Sequence, residues 1–187
     1  MPYPEGHKLK VRGRIIESAA KAFRTNGIRE ISVPVIMKGA GLTHGGFYSH
    51  FDNKEQLVSE TCRYAISDTI ALLQKAADQA GENPKIDAVI NFYLSSYHRD
   101  QTEIGCILPS LSGEIPRASE EVREVFTQEL QRMIDFICDL AKIDQATGNA
   151  VISLMVGTIV LARSVSDSEL SDGLLAAGKV NAMGLIK

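Results

Sequence analysis

Residues 32–57 constrain the fold more than any other stretch. A short apolar run, V-P-V-I-M-K-G, leads into A-G-L and then T-H-G-G-F-Y-S-H-F-D-N-K-E-Q-L. Ser32 can cap a helix over 33–39, and Pro34 is tolerated there because it falls in that helix's first turn. Gly41 supplies a tight turn where a side chain would clash. Thr43 can cap a second short helix over 43–51, which Phe47 and Phe51, one turn apart, anchor to a core. On a helical wheel Gly45 and Ser49 lie furthest from that core, with His44 and Tyr48 on the stripe between. The free side is therefore small, polar and aromatic, and it carries no carboxylate. Two short helices joined by a glycine turn read as a helix-turn-helix, whose second helix enters a major groove.

The adjacent glycines Gly45 and Gly46 sharpen this reading. Each costs a helix interior about 1 kcal/mol relative to alanine, and somewhat less near an N-terminus. Close approach of the backbone to a partner is the usual reason for such a pair. The plainer reading, that they extend the turn, stays open.

Charge is distributed to match. The chain of 187 residues has a net charge of −3, which argues against a general nucleic-acid coater. Residues 1–56, however, hold nine Lys/Arg against five acids, and the remainder eleven against eighteen. A basic head on an acidic body suits a small DNA-reading module with a separate regulatory part, although a solvated helix face gives a similar count. Three widely spaced cysteines (Cys62, Cys106, Cys138) fit a reducing cytoplasm. The four histidines form no metal-ligand spacing, and no cofactor or metal is expected. The start of the chain lacks an apolar signal core. The apolar run 150–162 would span only about 20 Å as helix, so no membrane segment is expected.

Taken in order, 1–7 read as a loose arm, and a first helix starts at Lys8 with Ile15, Ile16, Ala19, Ala20 and Phe23 on one stripe. Asn26-Gly27 stops it. After the helix-turn-helix, Asp52-Asn53 breaks the chain and a long helix runs over 54–80. A further helix is expected over 85–99, then a short one over 105–115 interrupted by Pro109. Ser119 caps a long helix whose stripe includes Val122, Phe126, Leu130 and Met133. Asp144 caps the next, to about 165, and Ser168 or Ser171 the last. With a 44% hydrophobic composition and no convincing strand, the chain is expected to be all-α with about nine helices. Residues 1–53 are expected to form a three-helix helix-turn-helix domain, and 54–187 a helical regulatory and dimerisation domain.

The helix over 145–165 is apolar almost all round, and a helix of that kind must be covered on more than one side. Pairing with a twin subunit is the economical solution, with Leu154, Val156, Ile159, Val160, Leu174, Ala177 and Gly178 as the expected contact residues. A wholly internal central helix is the alternative.

The run V-I-M-K-G-A-G-L-T-H-G-G-F-Y-S-H-F-D-N-K-E-Q-L resembles the DNA-binding signature of the TetR family of bacterial one-component repressors, and Ala19, Phe23 and Gly27 are similar to its lead-in. The resemblance is dense over about 10–60; beyond that only helix number, length and order match. It implies that Thr43 and the backbone beside it meet a phosphate, and that His44, Gly45 and Gly46 meet base edges. Tyr48, His50 and Lys54 would contact backbone phosphates, and Ser32 and Val33 the other strand. Pro34 stands where many members carry a base-reaching residue, so that contact is expected to be missing. Met37 and Gly39 replace the commoner alanines, which puts the packing of their helix in question.

The resemblance also implies a two-state switch: a homodimer on a palindromic double-stranded DNA operator, released by a small-molecule effector bound in the body. Candidate lining residues are Tyr93, Tyr97 and Cys106, with Leu111, Phe126, Met133 and Phe136; packing as ordinary core is the competing reading for all of them. Cys106 is read as a small buried hydrophobe, with a thiol sensor as the alternative. An enzyme is not expected: His98-Arg99-Asp100 lacks the phosphate loop of a kinase, and Glu114, Glu120 and Glu121 are explained by helix capping. The rival function is a helical ligand-binding or adaptor dimer without DNA binding.

Overall fold

The computed structural model describes residues 5–187, and among these every regular element is helical. The head comprises α1 (Glu5–Asn26), α2 (Val33–Gly39) and a six-residue 3-10 segment, His44–Ser49. The body comprises α3 (Lys54–Asp78), α4 (Lys85–Tyr93), α5 (Ser96–Asp100), α6 (Leu108–Leu111), α7 (Glu120–Ala141), α8 (Gln145–Ser164) and α9 (Ser168–Ile186), with two further 3-10 turns at Thr102–Ile104 and Ile115–Arg117. Of the arm expected over 1–7, residues 1–4 lie outside the described part, and the chain is already helical from Glu5.

In α1 the predicted stripe is the buried one: Ile15, Ala19, Ala20 and Phe23 are fully enclosed. They meet α3, which also packs against α4 and α7, so α3 is the central rod joining head to body. One continuous hydrophobic core runs from α1 to α9. Asn53 caps α3 by accepting the Gln56 N–H at 2.8 Å, and the Gln56 side chain accepts the Asp52 N–H in return. Ser119 and Asp144 cap α7 and α8 as expected, accepting from Val122 and Thr147. The cap of α9 is Asp167, which accepts from Leu170. Ser171 instead lies inside the helix and donates to the Ala162 carbonyl.

The helix expected over 85–99 is two. At the break, Ser95 Oγ donates to the Phe92 carbonyl and accepts the His98 N–H, taking over bonds that a continuous helix would make. Beyond the turn, His98 is buried in the core. The segment 105–115 holds a single four-residue α-helix, and Pro109 lies in its first turn, where no helical bond is lost, rather than interrupting it.

α8 is 20 residues long, with a mean hydropathy of 1.5 over its apolar window. By length and composition it could cross a bilayer, so the 13-residue run understated it. Here it packs between α7 and α9. Ile159 and Gly178, expected at a subunit contact, are buried within the chain instead. A Cβ on Gly178 would lie 2.7 Å from Thr158, so that glycine brings α9 against α8. Leu154, Val156 and Leu174 are half-buried, and Val160 and Ala177 are exposed.

A candidate nucleic-acid interface and the cavity behind it

The candidate interface is a ridge made by Thr43–Ser49. Phe47 and Phe51 beneath it are 1% exposed, with ring centroids 5.5 Å apart in a stacked arrangement. Fully burying each phenylalanine stabilises the fold by roughly 1.5–3 kcal/mol, which pins the ridge from below. The Arg12 guanidinium lies 4.1 Å from the Phe51 ring centre and pairs with Glu60 of α3. The ridge is a tighter 3-10 helix rather than the expected α-helix. Thr43 has an extended backbone at its start, but neither its side chain nor that of Ser32 makes the expected capping bond. Both hydroxyls therefore remain available to something outside the chain.

Thr43, His44, Gly45, Tyr48 and Ser32 are exposed, while Val33, Gly46, His50 and Lys54 are half-buried. Tyr48 is 67% exposed, its ring edge-on to Phe47 and His44. A Cβ at Gly45 would meet nothing within 4 Å, and one at Gly46 only the tip of Met37 at 3.7 Å. Nothing in the fold requires either glycine. His50 is kept below its ordinary pKa by desolvation and by the charges of Lys8 and Arg12, and its Nδ1 is enclosed without a hydrogen-bond partner. Cations from α1 thus gather beside the ridge.

The doubtful α2 packing has a compensating partner. Met37 is buried, and a Cβ at Gly39 would come within 2.5 Å of Ser18 Oγ. That hydroxyl occupies the alanine's usual space and donates to the Ile36 carbonyl at 2.8 Å.

Lys54 differs from expectation. Its ammonium donates to the carbonyls of Ile28, at 2.6 Å, and Ile31, closing the end of the α1–α2 loop. Burial pulls its pKa down, offset by the charge of Glu114. Two of its three protons are therefore used inside the chain, and its main work in this structure is to hold that loop.

Behind the head, a cavity of about 220 Å³ opens between α3, α4, α5 and the 101–106 segment. Tyr93, Tyr97 and Cys106 line it together. Leu111 and Met133 are enclosed core residues; Phe126 and Phe136 pack half-buried against the core, and none of the four lines the cavity. A longer hydrophobic stripe could not distinguish a wall from a core.

Sequence reasoning missed the polar framework around this cavity. The His98 ring sits between the Tyr93 carbonyl, 2.6 Å from Nδ1, and the Cys106 N–H, which donates to Nε2 at 2.8 Å. Nε2 accepts, so Nδ1 carries the proton and the ring is neutral. Burial pushes its pKa down to about 4, the Tyr93 bond works the other way, and the charges of Arg163 and Arg24 add to the lowering. Arg24 of α1 is buried and reaches Asp68 at 3.1 Å and, at 3.4 Å, the carbonyls of Ala65 and Glu103. Glu103 precedes the Ile104–Cys106 wall, so one α1 side chain touches both α3 and the cavity's rim. Glu114 is no capping residue: its carboxylate accepts the N–H groups of Ile28 and Arg29 in the head. Single residues such as these carry no periodicity, which is why the pattern of the sequence did not reveal them.

Comparison with known proteins agrees with this geometry. Residues 15–61 match the family model described as bacterial regulatory proteins, tetR family. The chain is 31% identical over 86 residues to the HTH-type transcriptional repressor KstR2 of Mycobacterium tuberculosis, covering 46% of this chain and 42% of that protein, so it spans under half of that relative's length. It is 25% identical over 175 residues to the HTH-type transcriptional regulator TtgR of Pseudomonas putida, covering 93% of this chain and 75% of TtgR. Among solved structures, a TetR transcriptional regulator from Chloroflexus aurantiacus superposes with a TM-score of 0.76 at 22% identity, over 96% of each chain. Reduced Escherichia coli NemR gives 0.77 at 16% identity, over 94% of this chain and 96% of that one. At those identities the structural likeness speaks for the fold.

Proposed function

Because the chain belongs to the TetR family of bacterial regulatory proteins, we propose that it is a ligand-responsive transcriptional repressor. It binds a palindromic operator in the cytoplasm as a homodimer and leaves it when a small-molecule effector enters the body. It performs no catalysis in this reading. Residues 1–53 read DNA, and 54–187 bind the effector and the partner subunit.

The observation that carries the reading is the ridge. It presents Thr43, His44, Gly45 and Tyr48 outward, with half-buried Gly46 among them, open space over Gly45 and cations of α1 alongside. His44 and the glycine backbone meet base edges. Thr43, Tyr48 and His50 meet phosphates, with Ser32 and Val33 reaching the other strand. Phosphate contacts supply most of the affinity and its salt dependence, and base contacts supply selection. Lys54 contributes mainly by shaping the loop it closes, with one proton left for a phosphate.

Two links between body and head support a switch. Arg24 joins α1 to the rim of the cavity, and Glu114 holds the α1–α2 loop. A ligand that favours a different setting of the 101–106 segment shifts the head through Arg24. Couplings of this kind are typically about 1–3 kcal/mol. Exposed apolar residues on α8 and α9, among them Leu161, Leu170 and Val180, support the twin-subunit contact.

The test is fluorescence anisotropy with DNA from upstream of the chain's own gene against a scrambled duplex, across a salt series. Selective binding that weakens steeply with salt supports the repressor. No binding at low salt would leave a helical ligand-binding or adaptor dimer in its place.

A further inference from the structure

Building on the effector site just proposed, we infer that its ligand is a small uncharged molecule of one ring with a short substituent, or two fused rings, whose single acceptor oxygen receives the Tyr93 hydroxyl. Tyr93 lines the cavity and is 2% exposed, yet its hydroxyl has no hydrogen-bond partner within the protein. Its polar neighbour is the Cys106 thiol, a weak partner. Leaving a buried hydroxyl unpaired is unfavourable, so the free protein carries a penalty that a ligand acceptor would remove.

The other polar groups at the deep end are already committed. Thr69 Oγ1 donates to the Ala65 carbonyl at 2.9 Å, and both ring nitrogens of His98 are engaged. Leu73 closes the remaining deep wall, and Phe92 adds an aromatic side.

Size and charge narrow the class further. A cavity of 150 Å³ holds benzene, so about 220 Å³ admits one ring with a short substituent, or two fused rings. Among the described residues lining it there is no carboxylate to receive a cation. An anion drawn to the deep end would exchange its water for one hydroxyl, an unfavourable trade in an apolar site. Two guanidiniums stand behind the wall and both are engaged: Arg163, half-buried beyond Gly105, donates to the carbonyls of His98 and Arg99, and Arg24, buried, is paired with Asp68. The one ammonium on the lining, Lys75, is exposed at the mouth. A neutral acceptor such as a ketone fits this distribution.

The experiment titrates the full chain with acetophenone, ethylbenzene and benzoate by calorimetry, in the wild type and in Tyr93→Phe. Acetophenone should bind at least about tenfold more tightly than ethylbenzene, with benzoate the weakest of the three. In Tyr93→Phe the preference for the ketone should vanish while the melting temperature stays level or rises, since an unpaired hydroxyl has been removed. Ala76→Phe, which fills the cavity from α3, should abolish binding of all three. Benzoate binding best, a ketone preference that survives Tyr93→Phe, or no binding of any probe would overturn the inference. DNA binding by the same preparation is read separately. Lost probe discrimination with intact DNA binding defeats only the ligand class, and the reverse defeats only the regulator.

Discussion

The Glu114 carboxylate accepts two consecutive backbone N–H groups, from Ile28 and Arg29, each at 3.0 Å and across more than 80 residues of sequence. The loop it holds begins at Gly27, where a Cβ would lie 2.0 Å from Glu114 Oε1. Lys54 grips the same loop from its carbonyl side. The α1–α2 connection is thus held between a carboxylate of the body and the ammonium that opens α3. Glu114→Ala should cost about 1–2 kcal/mol in urea unfolding, since the half-buried Ile28 N–H and the exposed Arg29 N–H lose a charged acceptor. It should also reduce the effect of ligand on DNA affinity. An unchanged unfolding midpoint would show that water replaces the carboxylate without loss.

Gly45→Ala separates folding from recognition. Open space surrounds the added methyl group, so the melting temperature should change by no more than a degree or two. Affinity for operator DNA should fall by about tenfold or more, because the backbone can no longer approach as closely. The companion variant His44→Ala should relax base preference at one position per half-site, read by selection from a randomised pool. Unaltered selection would remove His44 from base reading.

His98 makes the fold sensitive to mild acid. Its folded pKa is lowered to about 4, against about 6.5 in the unfolded chain. Between those values the unfolded chain binds a proton that the folded one refuses. The stability present above pH 6.5 is therefore lost progressively as pH falls toward 4. Between pH 7 and pH 5 the loss from this group is about 2 kcal/mol. Urea unfolding at the two pH values should show that loss in the wild type and a smaller one in His98→Gln. An equal loss in both would assign the acid sensitivity to other groups.

The uncovered faces of α8 and α9 should be where two copies meet. Val180 is 72% exposed, and Leu161 also faces outward. Leu161→Arg together with Val180→Lys should convert the dimer to monomer in analytical ultracentrifugation, with helicity by circular dichroism retained. Operator affinity should fall with it, since one head cannot span both half-sites. A dimer that survives would move the contact elsewhere.

Local pattern determined a good deal here. The helical class, the stripe on α1, the glycine turn, the two aromatic anchors and the caps of α7 and α8 arise from short-range sterics and periodicity, which neighbouring residues carry among themselves. The outward set Thr43, His44, Gly45 and Tyr48 was legible for the same reason: anchoring Phe47 and Phe51 inward leaves those positions on the surface. Tertiary structure alone decided the rest. Packing determined that Ile159 is enclosed in the core and Gly178 meets Thr158 across α8 and α9, that Lys54 turns inward, and that Leu111 and Met133 are core while Tyr93 lines a cavity. It also brought Glu114 to Ile28, Arg24 to Glu103 and His98 to Cys106. Those contacts join single polar atoms from different helices, and their energies depend on where whole elements come to rest, which no local periodicity records.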